Sequence, residues 1–188
     1  MSLVWPLAAG LVLALLLGGR PERLADVRFR GVWLFFVAVA VQFAAFPLHW
    51  MPWRTPDRIA TPLWLVSYGV IALAMLINLR VAGVPIVFVG MMSNIVAVVA
   101  NGRHMPALPS ALRGAGLHFV VSNNSARMPH PHLAWLVDRW AAPQWVPMGN
   151  VYSVGDVVIA VGCVIFALVA TRALPWLRLR RRAVAPAA

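Results

Sequence analysis

Five long runs of apolar residues dominate the chain and limit what it can fold into: Leu3–Gly18, Gly31–Leu48, Ala60–Leu79, Val81–Asn101 and Val151–Thr171. A hydrocarbon core about 30 Å thick takes roughly 20 apolar residues of helix, so the first run is short at the limit and the others are adequate. The 188 residues are 62% hydrophobic and 11% charged, above the apolar share of about one half found in soluble domains. The expectation is a single all-α integral membrane domain of five transmembrane helices over residues 1–172, with a basic tail at 173–188. The opening "MSLVWPLAAGLVLALLLGGR" has no positive n-region and reads as a retained helix rather than a cleaved signal peptide. Between the third and fourth runs, "NLRVAGV" is short enough to make a tight antiparallel hairpin.

Arginines give the orientation. All 16 basic residues are Arg, and with five acids the net charge is +11. In a soluble protein such an excess points to nucleic acid. Here much of it flanks apolar runs, so the expected partner is the anionic lipid surface and not nucleic acid. Arg20, Arg23, Arg28 and Arg30 crowd the first connector, Arg80 lies in the third, and Arg172, Arg178, Arg180, Arg181 and Arg182 follow the last run. The positive-inside bias puts these ends in the cytoplasm, so the chain is N-out and C-in. Six arginines remain outside, four of them spread thinly through the long connector. Trp50, Trp53, Trp64, Trp135, Trp140 and Trp145 gather toward the outer boundary, with Trp33 and Trp176 at the inner one.

The outer connector, 102–150, is the one long extramembrane piece. Its six prolines rule out a single helix. "LHFVV" before "SNNS" reads as a short strand and turn. "HLAWLVDRW" places Leu133, Leu136, Val137 and Trp140 at helical spacing, an amphipathic helix suited to lying at the interface. The lone Cys163 sits within an apolar run and reads as a packing residue.

Polar residues inside the runs converge on one depth. Gln42 and His49 share a face of the second helix, and Asn94 and Asn101 share a face of the fourth. Gln42 and Asn94 then lie roughly 10 Å below the outer boundary. Ser67 and Tyr68 reach a similar depth in the third helix, and Asp156 enters from the same side in the fifth. Asn78 apart, the inner halves are almost wholly apolar. Either the amides are hydrogen-bonding glue between helices, or the groups line a polar pocket that opens outward. Asp156 favours the pocket, because an acid needs water or a partner.

Asp156 has a plainer reading too. Ser153 three residues earlier makes a capping box, and acid in a first turn suits the helix dipole. Asp138, beside Arg139, reads alone as a solvated residue. As a pair the two acids mean more. If the residues between them fold back, two carboxylates in one site separate their pKa values, one a base toward water and the other a proton donor.

Two resemblances follow. "LLLGGRPERLADVRFRG", "NLRVAGVPIVFVGMMSNIVAVVANGRHMP" and "NVYSVGDVVIAVG" resemble an uncharacterised family of small bacterial multispanning membrane proteins, a domain of unknown function. This resemblance implies a multipass protein of the bacterial cytoplasmic membrane. Locally, "YSVGDVVIAVG" and "LAWLVDRW" resemble the two aspartate segments of lipoprotein signal peptidase, with Ser153 standing where that motif has Asn. This second resemblance implies that Asp138 and Asp156 are catalytic.

The histidines His104, His118, His130 and His132 lack a Cys or carboxylate signature and read as solvated, so neither metal nor cofactor is expected. The leading functional expectation is aspartate-dependent hydrolysis of a membrane-anchored peptide or lipid. Asp138 and Asp156 act as acid and base, with Asn94, Asn101, Gln42, Tyr68 and Ser153 binding substrate. The competing classes are a non-enzymatic lipid- or solute-binding module, an accessory subunit partnered by another membrane protein, and thirdly a transporter.

Overall fold

Every apolar run becomes a helix, and most of the helices are shorter than their runs. They are α1 (Val4–Leu16), α2 (Val32–Ala45), α3 (Asp57–Leu76), α4 (Val84–Ala100) and α6 (Val154–Ala170), with a short α5 (Pro109–Gly114) in the long connector. The computed structural model describes residues 4–46, 51–118, 121–122, 125–143 and 151–173. His49, Trp50, Trp145, Trp176 and the basic tail beyond Ala173 lie outside the described residues. The helix starts have local causes. Gly31 (φ 60°) and Gly83 (φ 85°) precede α2 and α4 in backbone conformations that side chains resist. Pro85 then sits in the first turn of α4, where no N–H is needed. Among the described residues one helix, over Arg58–Leu76, is long and apolar enough to cross a membrane; the other four apolar helices are shorter.

The helices form two groups. α4 and α6 run antiparallel in close contact, α1 packs on α6, and α2 packs on α3, while α3 meets α4 more sparingly. Small residues set the α4–α6 distance. A Cβ on Gly90 would lie 2.5 Å from the Gly155 carbonyl oxygen, and one on Gly162 would lie 2.8 Å from the Val87 nitrogen. Gly83, Gly90, Gly155 and Gly162 therefore let the backbones approach as small-residue seams do in membrane helices.

The core is inverted relative to that of a soluble protein. Ala14, Ala38, Ala74, Ala97 and Ala167 are buried, and so are the polar Ser67, Asn78 and Thr171. Leu34, Trp64, Met91, Val98 and Ile159 are buried as well, but many large apolar side chains point outward: Phe36 is 71% exposed, and Leu16, Val66, Val89 and Val99 are exposed too. Two asparagines tie connectors to helix ends by one device. Asn78 donates to the Ala74 carbonyl within α3 and to the Arg30 carbonyl, and accepts from the Arg30 N–H at 2.7 Å. Asn101, at the end of α4, donates to the Ala97 and His132 carbonyls and accepts from the His132 N–H at 2.7 Å. Each amide pairs with both polar groups of one distant residue, as a neighbouring strand would.

Among its described residues, the long connector forms two small sheets joined by turns and α5. β1 (Met105–Ala107) pairs in parallel with β3 (Ser125–Arg127), which pairs antiparallel with β2 (Val121–Ser122). Of the expected strand only Val121 is in β2, and the expected turn contributes Ser122 and Ser125 to strands, its middle lying outside the described residues. β4 (Trp140–Ala141) pairs antiparallel with β5 (Val151–Tyr152). The interfacial helix expected for "HLAWLVDRW" does not form. Residues 132–136 are turns, and Asp138 is bridged to Ala107. Leu133 takes a left-handed φ of 50°, and the Asp138 backbone donates to Pro106 and accepts from Leu108, each at 2.9 Å. These non-local bonds outcompete the helical ladder. Leu136 and Val137 are still buried, while Trp135 and Trp140 stay exposed.

Candidate functional site

A cavity of about 440 Å³ lies between the α2–α3 pair and the α4–α6 pair. Three helices line it in the same register. Phe35, Val39 and Gln42 come from α2. Trp64, Tyr68, Ile71 and Met75 come from α3, and Val87, Met91, Asn94 and Val98 from α4. Each set follows the i, i+4, i+7 rhythm of one helix face. Asp156 and Ile159 add a wall from α6, and Met105, Ser125, Asp138 and Val151 close the connector end.

The β4–β5 pair explains how both acids arrive. It holds the chain after Asp138 against the chain before Asp156, with Arg139 N–H bonded to the Tyr152 carbonyl at 2.9 Å. Asp138 is 6% exposed, and no hydrogen bond to its carboxyl comes from a described residue. Burial, reinforced by the charge of Asp156, pushes that carboxyl up from 3.8 to about 7.

Asp156 is equally buried and fully engaged. It receives the Ser153 N–H on Oδ2 and the Asn94 Nδ2 on Oδ1, both at 3.0 Å. Ser153 Oγ accepts the Asp156 N–H at 3.0 Å and donates to Asn94 Oδ1 at 2.8 Å. The capping box is therefore real, and it is also the wall of the cavity. A Cβ on Gly155 would overlap Asn94 Oδ1 and lie 2.6 Å from the Gly90 carbonyl oxygen, so glycine there lets Asn94 reach the cap.

Five of the seven residues anticipated for the site line this one cavity: Gln42, Tyr68, Asn94, Asp138 and Asp156. Ser153 stands behind them, fully buried and bonded to two of them. Asn101 does not join. Its amide is committed to His132 and Ala97, and its place is the connector clamp. Trp64, Met105, Ser125 and Val151 went unanticipated. Trp64 had a signal, since it lies four residues before Tyr68 on the same face. The connector residues had none, because only strand pairing carries them there.

The chain belongs to DUF5317, a family of unknown function whose model matches residues 26–168. No curated protein and no solved structure matches it.

Proposed function

Membership of a family without an assigned activity leaves the site to speak for itself, and from its geometry we propose an aspartate-dependent hydrolase that acts on a membrane-anchored peptide or lipid. In this reading the five apolar helices cross a bacterial cytoplasmic membrane, N-out and C-in, and the cavity opens at the outer face. The many exposed large apolar side chains, Phe36 and Val89 among them, support a bilayer, since a large apolar surface of this kind suits lipid tails. The observation that carries the activity is one cavity bearing two buried carboxyls above an apolar floor.

Asp156 takes a proton from water, whose oxygen bonds to the substrate's carbonyl carbon while Asp138 protonates the carbonyl oxygen. Asp156 then gives its proton to the departing nitrogen or oxygen as the bond to carbon breaks. The reforming carbonyl returns a proton to Asp138, so both acids end as they began. A carboxyl pushed up to about 7 keeps its proton in about half of the molecules at pH 7 and in most of them below it, as this role requires of Asp138. Asn94 and Ser153 fix the orientation of Asp156, and Gln42 and Tyr68 face the substrate.

The test replaces Asp138 and Asp156 singly by Asn, with turnover of a lipid-anchored acyl-peptide measured in nanodiscs beside the amount of folded protein. Loss of turnover by 100-fold or more at normal protein levels is expected, a typical share for one acid or base. Unchanged turnover in both variants overturns the proposal. The bonds that make Asp156 a helix cap favour one second reading, a non-enzymatic lipid-binding module. Under that reading Asp156→Ala lowers the amount of folded protein and Asp138→Asn has no functional effect.

A further inference from the structure

The cavity is a slot rather than a bowl. From Trp64 to Met75 it follows α3 for eleven residues, about 16 Å at the helical rise. Its polar lining residues, Asp138, Ser125, Asp156, Asn94, Gln42 and Tyr68, come from the connector and the parts of the helices nearer to it, with Asn94 bonded to Asp156. Below Tyr68 the walls are Phe35, Val39, Ile71, Met75, Val87 and Met91, all apolar. The slot lies between two helix pairs. Among the described residues α2 packs mainly on α3, with no comparable contact to α4 or α6. Val39, a wall residue, is also 49% exposed, and it stands on α2, which leaves the side toward α4 and α6 without comparable packing.

Charge narrows the occupant. Two buried carboxyls sit at the polar end, and no Arg is among the lining residues, in a chain whose net charge is +11. The Asp138 carboxyl, 6% exposed and without a hydrogen bond from a described residue, faces this space. An anionic head group would meet the Asp156 carboxylate with no cation among the lining residues to offset it. A single hydrocarbon chain matches the length and chemistry of the lower walls.

We infer that the slot binds one hydrocarbon chain of a membrane amphiphile whose head group bears no negative charge, admitted sideways between the two helix pairs. This names the substrate class for the hydrolase reading and rests on it for turnover, but not for binding.

The test uses the full chain in nanodiscs with three photo-crosslinking probes of equal chain length, each with a diazirine at the chain end: an alkylamine, an N-alkyl amide and an alkyl phosphate. Peptide mapping reads the labelled residues. The amine and the amide are expected to label the floor residues Phe35, Met75 and Val87, about tenfold more than the phosphate does. Met75→Trp fills the floor and should remove this labelling while labelling of the lipid-facing Phe36 persists. At pH 8, where most of Asp138 has lost its proton, Asp138→Asn should reduce the preference for amine over amide. Equal labelling by the phosphate, or labelling at Phe36 with none on the floor, overturns the inference. Floor labelling in a protein that hydrolyses no acylated probe keeps the inference and sinks the hydrolase reading instead.

Discussion

At the scale of single residues, Asp138 and Asp156 have the same burial and opposite surroundings. Asp156 accepts two N–H donors, whereas Asp138 receives none from a described residue. Folding therefore raises the Asp138 carboxyl to about 7, and the folded chain binds more protons than the unfolded one between about pH 4 and pH 7. Its contribution to stability is present below that window, falls as the pH rises through it, and is level above it. The rise from 3.8 to about 7 puts a ceiling on the order of 4 kcal/mol on this penalty. Asp138→Asn should flatten the melting temperature between pH 4 and 8 and raise it at pH 8. Thermal unfolding in nanodiscs at a series of pH values checks this, and a variant that melts lower than the parent at pH 8 contradicts it. A destabilising charge kept inside a fold is the behaviour expected of a group retained for chemistry.

At the scale of elements, the α4–α6 pair is the tightest junction and the one most sensitive to a methyl group. Gly155→Ala drives a Cβ into Asn94 and the Gly90 carbonyl, so the helices must part and the Asn94–Asp156 bond is lost. The expected result is little folded protein. Gly69→Ala, in the middle of α3 with nothing within 4 Å of the new Cβ, should be neutral or stabilise by about 0.5–1 kcal/mol. Comparing the yields of folded protein for the two variants tests the seam, and equal yields would deny it. The five helices were legible because each is built on a continuous apolar run. The shared depth of Gln42, Tyr68, Asn94 and Asp156 was legible because 1.5 Å per residue turns position into height. The stretch around Asp138 was not. Its periodicity matched a helix, but strand β1 and the Asn101 clamp lie some thirty residues away and offered its backbone better partners. Asn101 misled for a related reason: an amide that binds substrate and an amide that binds a connector look alike in a sequence.

For the whole molecule, the arginine distribution and the inverted core make a single topological prediction. In a Cys163→Ser background, Arg113→Cys on α5 should react with a membrane-impermeant maleimide on intact cells. Arg80→Cys, at the opposite end of the bundle, should react after permeabilisation and not before. The reverse pattern would turn the chain over and put the cavity mouth in the cytoplasm. The cavity also draws on nearly the whole chain, from Phe35 to Ile159. Its final wall belongs to the last helix, and Asp138 is moored to the strand that leads directly into that helix. During synthesis on the ribosome, a nascent chain released before α6 emerges has neither a complete slot nor a second acid. The cavity is therefore completed only when α6 joins the helices made before it.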